Sequence, residues 1–315
     1  MIGRECPNET CQPKYFKVAH TIPDELVIKH SGSSQITLTC PYCGTREDNQ
    51  RFFTKEQIEW AHSKIKRDFM EGMQAMFQRV TNQNSSGTLQ FRASPLPNVR
   101  HYIEEKMEKI IICDNCGCKY AVYGLSFHCP ICSQGNLLLH VKSSSEIIKV
   151  LIGESDRIGH EKGKDIGRHL LCNALEDVIG LYEGFLKYIY KYSVSKLFTG
   201  QEVRGKLERI KTNMQNIDKS IQLFQNDLRI NIFEGINTNE KEFLQEQFFK
   251  RHVITHNLGL IDERYNERAQ IIKRQGANID ILPQDIAKAL AIVEAVISVA
   301  LKALPRLNDR DERCC

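Results

Sequence analysis

The chain has 315 residues and a mass of 36.2 kDa, a length that favours two to three domains over one. Its 41% hydrophobic and 26% charged residues exclude collagen-like, mucin-like and wholly disordered classes and allow a sizeable buried core. The net charge is +4, and a division after Lys142 leaves 17 Lys/Arg against 14 Asp/Glu before it and 26 against 25 after it. Neither half is the basic slab of a protein that lives on phosphate contacts, so any nucleic-acid contact is expected from local sites. Arg4, Glu5 and Cys6 stand where a secretory apolar run would begin, and the most apolar stretch, Ile286 to Leu304, carries Lys288, Glu294 and Lys302. The expectation is a cytoplasmic protein with no membrane partner.

Ten of the twelve cysteines precede residue 180, and eight form two quartets. The first is Cys6-x4-Cys11 followed, after 28 residues, by Cys40-Pro-Tyr-Cys43; the second is Cys113-x2-Cys116 followed, after 12 residues, by Cys129-Pro-Ile-Cys132. Two thiolates on a tight turn can face one ion, and two such turns complete a tetrahedron at about 2.3 Å per Zn–S bond. Pro41, Gly44, Gly117 and Pro130 suit those turns, and Gln35–Thr39 and Lys119–Tyr123 alternate as short strands. The quartets resemble zinc ribbons, the second by its usual spacing and the first with a longer leading loop. Eight thiolates in two closed sets imply two structural zinc ions and no open catalytic position; Cys118 is the spare, able to compete as a ligand. The zinc replaces a core that such small modules cannot build. Arg46, Arg51, Phe52 and Phe53, with Arg100, His101 and Tyr102, are candidates for contact with nucleic acid or a regulatory protein, or else for packing between domains.

Thr54-Lys-Glu-Gln57 has the pattern of a capping box opening a helix to about Val80. Its apolar positions Ile58, Ala61, Ile65, Phe69, Met73 and Met76/Phe77 follow helical spacing and read as core. Residues 81–98 read as a linker, with a second boundary at Gly153–Gly167 after a short helix near 144–152. Beyond it, four helices are expected near 165–192, 202–227, 239–262 and 284–304, a helical bundle. The expected organisation is a zinc ribbon at 1–53, a helix and linker at 54–98, a second ribbon at 99–142, and a connector at 143–164. An all-α bundle at 165–305 and a tail at 306–315, ending in Cys314-Cys315, complete it.

The third bundle helix contains Phe248-Phe-Lys-Arg-His-Val-Ile-Thr-His-Asn257. At about 100° per residue, Arg251 falls in a stripe with Leu244, Phe248 and Leu258, while Phe249, Val253 and Leu260 form a second stripe with His256 at its edge. A helix apolar on two sides predicts burial against its own bundle and against a second chain. A buried arginine needs an anion, and Glu176, Asp177 or Glu183 of the first bundle helix are the internal candidates. No phosphate-binding glycine loop, Ser/His/Asp set or His-Glu-x-x-His helix is present in the sequence.

The order Arg251, polar His252, three residues and His256, with Asn257 next, resembles the signature of the HEPN superfamily of helical domains, named for higher-eukaryote and prokaryote nucleotide binding. The resemblance spans about 160–305 and includes the long apolar helix Leu170–Tyr192 and the continuation Leu258–Tyr265. It implies a metal-independent RNA endonuclease in which the ribose 2′-OH attacks the adjacent phosphate. His256 would act as general base or acid, Arg251 would hold the phosphate, and His252 would orient His256 or touch RNA. It further implies a homodimer through the C-terminal helical domain, with both chains supplying Arg and His, and a conditional toxin or anti-phage defence setting. Some members of the superfamily lack activity, so the alternative is a non-catalytic zinc-ribbon binding or assembly module with a HEPN dimerisation domain.

Overall fold

The computed structural model describes residues 1–19, 37–83, 94–107, 109–269 and 274–304. The start of the expected strand at Gln35, the middle of the expected linker and the Cys314-Cys315 tail lie outside these residues. The chain forms two compact units, Met1–Leu137 and Leu138–Cys315. No described helix is long and apolar enough to cross a membrane.

The N-terminal unit is β-rich. Strands β1 (Ile2–Glu5), β2 (Tyr15–Val18), β5 (Lys109–Ile112) and β6 (Lys119–Val122) form one antiparallel sheet in the order β1-β2-β6-β5, and β3 (Thr37–Thr39) pairs with β4 (Arg46–Asp48). The two ribbons expected as separate modules are therefore joined: β2 pairs with β6 through Lys17↔Ala121 and Val18↔Tyr120. Thr39 N–H also donates to Pro130 O at 2.8 Å, and Phe127 N–H to Pro41 O at 2.8 Å. The physical reason is core size. Neither ribbon buries many side chains, and the shared sheet lets Phe16 stack edge-on against Tyr42 and Phe52, with Tyr120 fully buried.

Helix α1 (Lys55–Gln83) starts where the capping box predicts, because Gln57 N–H donates to Thr54 Oγ1 and Thr54 N–H to Gln57 Oε1, both at 3.2 Å. Its apolar stripe is not core. Ile58, Ile65, Phe69, Met76 and Phe77 are all exposed, because the following chain, residues 94–107, lies along the other side of the helix. Gln74 Nε2 donates to Ser94 O at 2.6 Å, Arg100 N–H to Ser63 Oγ at 2.9 Å, and Trp60 meets Tyr102 edge-on at 6.1 Å.

The C-terminal unit is helical. The expected glycine-rich connector is instead the end of one continuous helix, α2 (Leu137–Lys162), and a single residue, Gly163 at φ 117°, separates it from α3 (Lys164–Leu197). Exposed pairs of Arg157 with Glu154 and Glu161 run along α2 across the segment that reads as a loop. Gly159 and Gly167 let the two helices touch: a Cβ on Gly167 would meet Ser155 O at 2.5 Å and Gly159 Cα at 2.9 Å. These glycines make a helix crossing.

Helix α3 is the centre of this unit, with Leu175, Val178, Ile179, Tyr182, Leu186 and Ile189 buried against α6 (Thr238–Asn257) and α8 (Pro283–Lys302). Tyr182 packs edge-on to Phe248 at 5.2 Å, and Ile286, Leu290, Val293 and Ile297 fill the α8 face. The expected helix near 202–227 is broken into α4 (Gly200–Asn213), α5 (Ile217–Leu223) and a π-helical turn, Phe224–Leu228. Asn216 causes the break by accepting from Lys219 N–H at 2.9 Å, a cap that starts a new helix. Helix α6 stops at Asn257, not 262, because Leu258 (φ 53°) and Gly259 (φ 75°) turn left-handed. A short helix, α7 (Glu263–Ala269), follows.

Candidate metal centres and candidate active site

Three cysteine turns share one geometry. In each, the residue after the second cysteine has positive φ (Gly44 75°, Gly117 68°, Ser133 62°) and donates its N–H to the first cysteine's carbonyl at 2.8–3.0 Å. The first cysteine's N–H then donates to the carbonyl five residues on, closing a small loop that aims both thiols to one side. Glycine meets the left-handed requirement at two of the three turns. The leading pair Cys6 and Cys11 uses another loop, in which Cys6 N–H donates to Lys14 O and Cys11 N–H to Asn8 O.

The thiols of Cys6, Cys11, Cys40 and Cys43 lie within 4.8 Å of one another, as do those of Cys113, Cys116, Cys129 and Cys132. Close Sγ···Sγ approaches are 3.6 Å for Cys6–Cys43, 3.7 Å for Cys11–Cys40, and 3.6 Å for Cys113–Cys132 and Cys116–Cys129. A tetrahedron with bonds of about 2.3 Å has edges of about 3.8 Å, so both sets fit a metal ion and none of the eight is a disulfide. Four thiols this close cannot all ionise unaided. Hydrogen bonds from Cys11 and Cys40 hold Cys43 far below the usual thiol range, and those with Cys11, Cys43 and Cys6 push Cys40 up. Cys118 is buried, but its thiol points to Lys119 O at 3.7 Å and it is not among either four.

The aromatic and basic residues after the first set do not form one contact surface. Phe52 is 0% exposed and belongs to the core, whereas Phe53 is exposed under the Arg4 guanidinium at 4.8 Å. Arg46 and Arg51 face solvent. Arg100 pairs with Glu59, and Tyr102 packs on Trp60, so these two serve packing against α1; His101 is exposed.

The second cluster is the C-terminal end of α6. Its start is fixed by a full capping box, Asn237 accepting from Glu240 N–H at 2.9 Å and Asn237 N–H donating to Glu240 Oε2 at 3.1 Å. Leu244 and Phe248 are buried on the first stripe, and Val253 of the second stripe is buried as well, while Leu258 is 89% exposed and so leaves the stripe that helical spacing predicts for it. Phe249 is half-buried and Leu260 exposed. Lys250 is buried between Glu246 and Asp285, 3.4 Å from each, and ties α6 to α8.

His252 and His256 are exposed on successive turns, with ring centroids 4.7 Å apart. Burial first, then the charges of His256, Arg268 and Arg251, push His252 below the usual histidine range, while Asp262 opposes them. Arg251, Arg268 and Asp262 are thus the charges that act on His252. Arg268 and Asp262 escape a motif reading because they follow α6 on another element. Arg251 is half-buried, and its Nε is buried without a hydrogen-bond partner. The internal carboxylates do not serve it. Glu176 accepts from Thr255 Oγ1 at 2.7 Å, Glu183 pairs with Lys187 at 3.6 Å, and no described carboxylate lies within 4.0 Å of Arg251. Arg168, near the start of α3, reaches the far end of the site: its Nη1 donates to Ile279 O at 2.7 Å and its Nη2 abuts Gly259. It fastens the loop after α6, where Ile279 N–H donates to Gly259 O and Gly276 N–H to Ile261 O.

Comparison with family models, curated proteins and solved structures finds no match for this chain.

Proposed function

We propose that the C-terminal unit is a HEPN-type endoribonuclease that needs no metal for chemistry, and that the N-terminal unit holds two structural zinc ions. The observation that carries the reading is Arg251, a cation with a buried, unpartnered Nε and no carboxylate partner among the described residues, beside an exposed histidine pair. A guanidinium in that state favours an external anion, and its planar fork matches a phosphate. Histidine ordinarily titrates near neutral pH and can exchange protons with a ribose hydroxyl or a leaving oxygen.

In the proposed reaction His256 takes the proton from a ribose 2′-OH, whose oxygen bonds to the adjacent phosphorus as the bond to the 5′ oxygen breaks. A histidine, His256 of this chain or of a second copy, returns a proton to that 5′ oxygen. Arg251 stabilises the charge gathering on the non-bridging oxygens, and His252 positions the ring of His256. A two-fold dimer through this unit would bring two such sets together, and a toxin or defence setting comes with the family resemblance. Zinc, held by the two cysteine sets, supplies cross-linking of the β-rich unit, whose surface is open to a regulatory partner.

The test is cleavage of RNA in EDTA. Products are expected to end in 2′,3′-cyclic phosphate, with DNA left intact for want of the 2′-OH. His256→Ala is expected to lose roughly 10²–10⁴-fold in rate, and Arg251→Ala about 3–4 kcal/mol of transition-state stabilisation. Arg251→Lys should restore little of it. Full rates in both alanine variants would exclude the reading in favour of an assembly module, and an RNase activity that disappears with the divalent ion would exclude it in favour of a metal-dependent nuclease.

A further inference from the structure

We infer that the exposed stripe of α1 is a self-association surface, on which a second copy of this chain lays its own α1 antiparallel, centred on Phe69. The stripe is regular. Ile58, Phe69 and Val80 recur every eleven residues, as do Ala61 with Gly72 and Ile65 with Met76. An eleven-residue period is about 3.67 residues per turn, close to the natural 3.6, so the stripe stays on one side of a nearly straight helix of roughly 44 Å. Its large members are between 42% and 66% exposed. The described part of the return segment, 94–107, lies on the other side of the helix, at Trp60, Ser63 and Gln74, away from the stripe.

Two features select a second copy as the occupant. The first is shape. Antiparallel pairing about Phe69 brings Ile65 over Gly72 and Met76 over Ala61, large against small on either side of the centre, with Phe69 on Phe69 at the centre and Ile58 meeting Val80 at each end. Parallel pairing would set Gly72 on Gly72 and Ala61 on Ala61 and leave gaps. Gly72 itself has no role inside the chain: its φ is helical and nothing lies within 4 Å of a Cβ built there. A mid-helix glycine weakens a helix, and close approach of a partner's side chain gives it a purpose. The second feature is area. The five large side chains and their flanks expose on the order of 600 Å² per chain, so self-pairing removes on the order of 1,200 Å², the lower bound for a stable specific interface.

The experiment uses the full-length, zinc-loaded chain with p-benzoylphenylalanine at position 69 or at position 58. Irradiation is expected to give a covalent product of twice the chain mass, joining 69 to residues near 65–73 of the other copy and 58 to residues near 80. Phe69→Glu should weaken self-association on the order of 30-fold or more, as loss of a central apolar anchor does. Gly72→Leu should raise helix content yet also weaken association, since the leucine meets the partner's Ile65. A product of single-chain mass would show another stretch of the same chain on the stripe, and a 58-to-58 product would show parallel pairing. Either result, absence of cross-linking, or tighter association in Gly72→Leu overturns the proposal. The stripe is separate from Arg251 and His256, so a chain inactive on RNA leaves this inference standing, and loss of the cross-link leaves the ribonuclease reading standing.

Discussion

The two units are held together by different physics. In Met1–Leu137 the buried aliphatic side chains among the described residues are few, Val18, Leu38, Ile111, Ala121, Val122 and Leu137, and eight cysteines gather into two sets that fit metal ions. In Leu138–Cys315 a long central helix buries one apolar side chain per turn against α6 and α8. β pairs of two to four residues carry little core of their own, and two cysteine sets that fit metal ions offer cross-links in its place, whereas the helical unit is stabilised by burial at about 25 cal/mol per Å² of apolar surface. The joint β2–β6 pairing puts both sets in one folded body, so their folding is expected to be coupled.

Metal removal should break the comparison most visibly. Structural zinc in small domains contributes on the order of 10 kcal/mol of folding free energy. Strong chelation, or Cys129→Ser, is therefore expected to unfold the N-terminal unit while the helical circular-dichroism signal at 222 nm largely persists. Cys129→Ser should also loosen the first cysteine set, since β6 carries β2. Metal content per chain checks this: a fall of two ions shows the sets are coupled, and a fall of one shows that they are separate modules after all.

A change of intermediate size probes the helical unit. Gly167→Ala places a methyl 2.5 Å from Ser155 O and 2.9 Å from Gly159 Cα, backbone contacts that cannot swing away. Overpacking of that kind costs about 1–3 kcal/mol. Thermal unfolding of the helical signal should shift down, with metal content unchanged. Gly153→Ala, in α2 and with open space at its Cβ, should be neutral or slightly stabilising. Equal behaviour of the two variants would mean that the close crossing is not formed.

The smallest effect is with pH. Burial and neighbouring positive charge lower the folded pKa of His252, so the unfolded chain binds more protons as the pH falls through the ordinary histidine value. Its contribution to stability is therefore fully present above about pH 6.5 and declines as the pH falls from there towards the lower folded value. The side chain is exposed, which screens the effect. His252→Gln should flatten the slope of stability against pH between about 7 and 5, and a steeper slope in the variant would reverse the sign.

Much was legible in the chain because it is encoded within a few residues. Cysteine turns need a left-handed residue after the second thiol, and Gly44 and Gly117 stand there; the Thr54–Gln57 box starts α1; the bundle helices begin within a few residues of their expected places. The metal ligands are a local matter, and both sets assemble as their spacing predicts. Where the reading went astray, the deciding partner was distant or its geometry three-dimensional. Glycine signals a loop or a close approach with the same letter, and only the crossing of α2 and α3 shows which role Gly159 and Gly167 take. Helical spacing identifies the α1 stripe but not whether anything covers it.

The sequence alone determined the two cysteine quartets that fit metal ions, the helical character of the second half and the order of Arg251, His252 and His256. Tertiary structure alone decided that the ribbons share a sheet, that Arg168 holds the loop after α6, and that no carboxylate among the described residues pairs with Arg251. Those outcomes depend on pairings between residues roughly 80 to 110 positions apart. Side-chain reach and helix rotation choose between Glu176, Glu183 and no partner at all within distances of an ångström or two, and composition and periodicity carry no information at that scale.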